Sequence, residues 1–170
     1  MVTFNLSYTA PINPPNASPI LTQSQIWACI KLKVRHAEQF VPAITNTEIL
    51  SESTKGETTV SLIRRVTFAP GGHPAGAESA VETCRFFEPC RVDFVGADGS
   101  AIINAVSRGP PGGEAHELYY TYIFEWRHPD LEAGSEAAGR QEEADWVTTQ
   151  LAVNATIATM RRMVREGVVR

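Results

Sequence analysis

Between residues 44 and 127 the apolar side chains fall into six runs of period two, and the chain then turns to a helical period for its last stretch. The runs are 44–52, 58–68, 79–88, 91–96, 100–108 and 116–127. Short turn-forming segments separate them: Ser53–Gly56, the Gly-, Pro- and Ala-rich 69–78, Glu88-Pro89-Cys90, Ala97-Asp98-Gly99, and Arg108 followed by GPPGG. Connections this short join antiparallel neighbours, because a parallel crossover needs a dozen residues or more. A polar connector over 128–139 leads into a helix spanning 140–166. A meander must bury one face, and this helix is the one long element able to cover it.

The first forty residues complete the order of elements. Residues 3–9 alternate as a strand, and the proline-rich PINPPNASP at 11–19 is an extended connector that regular structure excludes. Thr22 with Gln25 makes a capping-box pattern, and Ile26, Trp27, Ile30 and Val34 give the helix behind it one apolar side. A second short helix, HAEQFV, stops before Pro42. The expected class is α+β. It is a helix-grip arrangement, a seven-stranded curved antiparallel sheet around a long C-terminal helix, with two short helices after the first strand, in one domain over residues 1–170.

Composition removes several function classes. A net charge of −4 gives no footprint for nucleic acid. No apolar run reaches the length of a membrane span, and residues 1–20 carry no export signal, so the reading is soluble and cytoplasmic. Cys29, Cys84 and Cys90 are not in CxxC spacing, and His36, His73, His116 and His128 form no HxH or HExxH pattern, so no metal is expected. PGGHPAG and GPPGG follow strands without opening helices, which makes them loops and not phosphate cradles. No cofactor is expected.

The hairpin turns fix which side chains face inward. Ala97-Asp98-Gly99 fits a three-residue loop with glycine left-handed, which pairs Gly96 with Ser100. Val92, Phe94, Ile102, Asn104 and Val106 then share a face, and the face continues into His116, Leu118, Tyr120, Tyr122, Phe124 and Trp126. Asn104 is an amide among apolar neighbours, bonded either to other side chains or to a ligand. Tyr120 and Tyr122 offer hydroxyl tips suited to orienting a carbonyl or phenol. Arg64 interrupts the stripe Val60, Leu62, Val66, Phe68, so it needs a bulge, a carboxylate such as Glu48, or a ligand anion. On the last helix, Trp146, Gln150, Val153, Ile157, Met160 and Val164 define the inward stripe, with Asn154 flanking it. The expected catalytic set is Arg64, Tyr120 and Tyr122. The expected ligand contacts are Asn104, Phe94, Phe124, Trp126 and Asn154.

The segments LTQSQIW, AEQFVPAI, RRVTF, RFFEPCRVDF and LYYTYIFEWRH, in this order and spacing, resemble the AtaL-like branch of the SRPBCC superfamily. That superfamily takes in START lipid-transfer domains, polyketide cyclases and birch-pollen-allergen-like proteins. The resemblance covers roughly residues 3–165 and implies a small hydrophobic ligand in an internal cavity. The branch has bacterial and fungal members, some in secondary-metabolite clusters, and no motif that fixes a reaction. Three functions stay open: a cofactor-free cyclase or isomerase acting on a polyketide- or peptide-derived intermediate, a carrier that leaves its ligand unchanged, and a protein-interaction domain. The polar groups on the concave face favour the first.

Overall fold

The computed structural model describes residues 1–72 and 76–170; part of the 69–78 loop, His73 included, lies outside the described residues. Seven strands form one antiparallel sheet: β1 Val2–Pro11, β2 Ile44–Lys55, β3 Thr58–Phe68, β4 Ser79–Phe87, β5 Arg91–Gly96, β6 Ala101–Arg108 and β7 Leu118–His128. Their order is β1-β7-β6-β5-β4-β3-β2, so the meander returns to the first strand through β7. Helix α1 spans Gln23–Arg35 and helix α2 spans Glu136–Arg165.

The registers follow the expected pairing. Val92 faces Asn104, Phe94 faces Ile102, and Ile102, Asn104 and Val106 face Phe124, Tyr122 and Tyr120. The β5–β6 turn closes through Gly96 N–H donating to Ser100 O at 2.8 Å. Gly99 there has φ +83°, a left-handed conformation that favours glycine, and the Arg127 guanidinium lies over its bare Cα. The concave face meets α1 and α2 in one core that includes Ile26, Ile30, Leu62, Val92, Tyr120, Val153 and Met160.

Helix α1 carries the cap its sequence announces, and α2 carries one that the sequence reading did not pick out. The Thr22 hydroxyl accepts from Gln25 N–H while the Gln25 side chain accepts from Thr22 N–H. Ser135 caps α2 by accepting from Ala138 N–H at 3.1 Å, which starts the helix four residues before the expected 140. The expected second short helix is a single 3₁₀ turn, Ala37–Gln39. The last turns of α2 tie down the proline connector: Arg161 donates to the carbonyls of Ile12 and Pro19, and Arg165 to Ser18 O.

The inward stripe of α2 differs from the expected one in its first half. Ala138, Asp145, Thr149, Val153, Thr156, Ile157, Met160 and Met163 are buried, whereas Trp146, Val147 and Leu151 face outward. Hydropathy alone misplaces the stripe by one residue, about 100° of helix rotation, because the inward positions there are polar. Asp145 is buried against His128 of β7, with 2.9 Å between Oδ2 and Nε2, and Thr149 donates to the Asp145 carbonyl. Among the described residues no helix is long and apolar enough to cross a membrane.

Candidate functional site

The expected pocket residues assemble under α2, around a residue that the sequence reading passed over. Lys33 lies on the inner face of α1, at i+4 from Cys29 and i+3 from Ile30, and only 5% of it reaches solvent. Its ammonium nitrogen donates to Asn104 Oδ1 at 2.9 Å and makes a short contact with the Tyr122 hydroxyl. It also stands 4.4 Å from the centre of the Tyr122 ring and 5.6 Å from that of Phe94. Tyr122 reaches Thr156 of α2, 2.7 Å between the two hydroxyls, so the cluster spans α1, the sheet and α2.

Asn104 is fully buried, and its orientation is set by its partners. Lys33 and the Tyr120 hydroxyl, the latter at 3.3 Å, both donate to Oδ1, so the amide nitrogen must point the other way. That nitrogen, Nδ2, is buried and has no hydrogen-bond partner. An orphaned buried donor costs about 1–3 kcal/mol, and a carbonyl or oxyanion placed against it would recover this.

The aromatic stripe continues along β7. Tyr120 and Tyr122 meet edge to face with centroids 5.1 Å apart, Tyr122 and Phe124 lie at 5.6 Å, and Phe124 and Trp126 at 4.4 Å. Tyr120, Tyr122, Phe94 and Phe124 are buried and Trp126 is half-buried at the far end. The surroundings hold both phenols in their neutral form. Burial raises the Tyr120 and Tyr122 pKa values far above the ordinary 10, although the Thr156 bond partly offsets this for Tyr122.

Arg64 faces inward as its register requires, and its charge is met from within the protein. Its cross-strand partner is Glu82 of β4 and not Glu48, which pairs with Arg65. Nε and Nη2 donate to the Glu82 carboxylate at 2.8 and 2.7 Å, while Nη1 donates to the carbonyls of Lys33 and Val34 at 3.1 and 2.8 Å. These donors satisfy the end of α1 and hold Lys33 in place, which accounts for a buried arginine without a ligand anion. The guanidinium also acts on Lys33 at a distance. Burial, and then repulsion from Arg64, lower the Lys33 pKa from 10.5 to about 7, against a smaller opposing pull from Glu82.

Asn154 does not join the cluster; it is exposed on α2, one residue past buried Val153. The three cysteines are free; burial pushes the Cys29 thiol up to about 11 and the Cys84 thiol up to about 12, which keeps them unreactive near neutral pH. Two depressions on the rim, about 670 and 380 Å³, are formed by residues 11–24 and by the loop from Arg108 to Tyr119. Neither is lined by Lys33, Asn104, Tyr120 or Tyr122.

Comparison with known proteins agrees with this architecture. The di-domain aromatase/cyclase StfQ of the steffimycin biosynthetic pathway superposes with a TM-score of 0.64 at 6% identity, over 98% of this chain. This chain spans about half of that protein, 52% of its length. The Zhui aromatase/cyclase from Streptomyces sp. R1128 superposes with a TM-score of 0.58 at 16% identity, covering 96% of each chain. At these identities the likeness is one of fold, the helix-grip fold. In sequence, the chain is 30% identical over 168 residues to a protein of Aspergillus terreus strain NIH 2624 named "Acetylaranotin biosynthesis cluster protein L", covering 97% of this chain and 92% of that one. Residues 6–167 match the family that carries the same description, and the chain therefore belongs to the AtaL family.

Proposed function

We propose that this protein is a cofactor-free enzyme, of cyclase or isomerase type, acting on a small hydrophobic intermediate of a secondary-metabolite pathway. The observation that carries this reading is the pairing of Lys33 with an Asn104 amide whose donor is buried and unused. An amine that titrates near 7 is suited to general acid–base work, since it exchanges protons readily at neutral pH. The Asn104 Nδ2 supplies a preorganised donor for an oxygen on which charge develops, such as an enolate. Tyr122, held by Lys33 and Thr156, relays a proton, and Tyr120 fixes Asn104. Phe94, Phe124 and Trp126 provide the apolar bed for the remainder of the molecule. Arg64 is a positioning residue that sets α1 and with it Lys33.

The relative from Aspergillus terreus is named for a biosynthetic cluster, and two proteins of like fold are described as aromatase/cyclases; both support a polyketide- or peptide-derived substrate. The test is to supply the protein with extracts of its own organism and follow depletion of individual metabolites by mass spectrometry. Wild-type protein should consume at least one hydrophobic carbonyl compound, and Lys33→Met should slow that by about 10²–10⁴-fold, the range for loss of an acid–base group. Tight binding of a metabolite that is never altered would overturn the enzyme reading in favour of a carrier.

A further inference from the structure

We infer that Lys33 is a nucleophilic amine that takes up a ketone or aldehyde as an imine. The inference deepens the proposed function and rests on the same site. Its ground is the choice of lysine at this position and the geometry around it. The chain has three lysines, Lys31, Lys33 and Lys55, against twelve arginines. Its other buried cation, Arg64, is an arginine matched by Glu82, as a purely structural charge requires. Lys33 pairs with no carboxylate among the described residues; its neighbours are an amide oxygen, a phenol and two aromatic rings. An amine in such surroundings sheds its proton easily, and its lone pair is then available.

The same geometry provides for the carbonyl. Lys33 Nζ already touches the Asn104 amide through Oδ1, and the Nδ2 of that same amide is the unpartnered donor assigned to the carbonyl oxygen. The nitrogen lone pair forms the C–N bond while the C=O π pair moves onto oxygen, where Asn104 stabilises it. A proton passes from nitrogen to that oxygen through the Tyr122 hydroxyl. The nitrogen lone pair then forms the C=N bond as the C–O bond breaks, the remaining N–H proton ends on the departing oxygen by the same relay, and a neutral imine and water remain. With a β-dicarbonyl, loss of the proton between the two carbonyls gives an enaminone. The sum is amine plus ketone to enaminone plus water, with no oxidant or reductant.

The probe is 1-phenylbutane-1,3-dione, incubated with the intact chain and followed by whole-protein mass spectrometry and peptide mapping. The expected product is one diketone less one water, on Lys33, with Lys31 and Lys55 as internal references. Its rate should rise with pH and level off just above 7, and Lys33→Arg or Lys33→Met should abolish it. Equal labelling of all three lysines, or none on Lys33, would overturn the inference. Quenching of tryptophan fluorescence by the diketone separates the two layers of the argument. Saturable quenching without an adduct rejects the imine and leaves the proposed function standing, whereas neither quenching nor adduct rejects both.

Discussion

Replacing Lys33 by methionine takes out a buried amine and leaves its partners satisfied. Asn104 Oδ1 keeps the Tyr120 hydroxyl, and Tyr122 keeps Thr156. Methionine fills most of the same volume, so the fold should survive. The consequence to measure is the pH dependence of stability. In the folded protein Lys33 titrates near 7, and in the unfolded chain near its ordinary 10.5. Below about pH 7 both states hold the proton, and the folded state bears the full cost of the buried ammonium. Between 7 and 10.5 the unfolded chain holds more protons, so stability rises with pH across that window. From pH 7 to 8.5 the gain integrates to about 1–2 kcal/mol, at roughly 1.4 kcal/mol per pH unit for a full proton difference. Cys29 and Cys84, raised by burial, act in the opposite direction above 9, but they are common to both proteins and drop out of the difference. Urea unfolding of wild type and Lys33→Met at pH 7.0 and 8.5 reads this directly. The wild type should gain about 1–2 kcal/mol relative to the variant. Parallel pH profiles would mean that Lys33 titrates far above neutrality, and the acid–base and imine arguments would both fail.

Arg64→Met should destabilise the protein by about 3–5 kcal/mol in chemical denaturation, because it leaves the Glu82 carboxylate and two α1 carbonyls without their donor. Arg64→Met combined with Glu82→Leu should recover part of that loss, and no recovery would mean the ion pair is not the cause. Asn154→Ala, on the exposed side of α2, should change stability by less than about 0.5 kcal/mol and leave ligand binding untouched. Thr22→Ala should cost about 1 kcal/mol through loss of the α1 cap, read as a lower midpoint with unchanged slope in urea.

The sheet was legible because period two and turn chemistry reinforce each other. Gly99 in the left-handed region sets the β5–β6 register, and that register carries Phe94, Asn104, Tyr120, Tyr122 and Phe124 to one face. Arg64 was visible as a charge in an apolar stripe, but its partner was not, because Glu82 becomes its neighbour only through the β3–β4 pairing. Lys33 carries the same kind of signal, a charge three residues after Ile30 and seven after Ile26 on the buried side of α1. It was passed over because a lysine near a helix end normally extends its head to water. The first half of α2 was misplaced because its buried positions are Asp145 and Thr149, and hydropathy follows Trp146 and Leu151 instead. Burial of polar residues depends on partners far along the chain, here His128, and a one-dimensional pattern holds no record of them.

The account places the functional site on the concave face around Lys33, and a ¹⁵N NMR titration with 1-phenylbutane-1,3-dione tests that placement most directly. The predicted result is saturable shifts at the amides of Lys33, Asn104, Tyr120, Tyr122 and Thr156, the residues that share the hydrogen-bonded cluster. Shifts confined to residues 20–24 and 108–117, which line the rim depression of about 670 Å³, would contradict it.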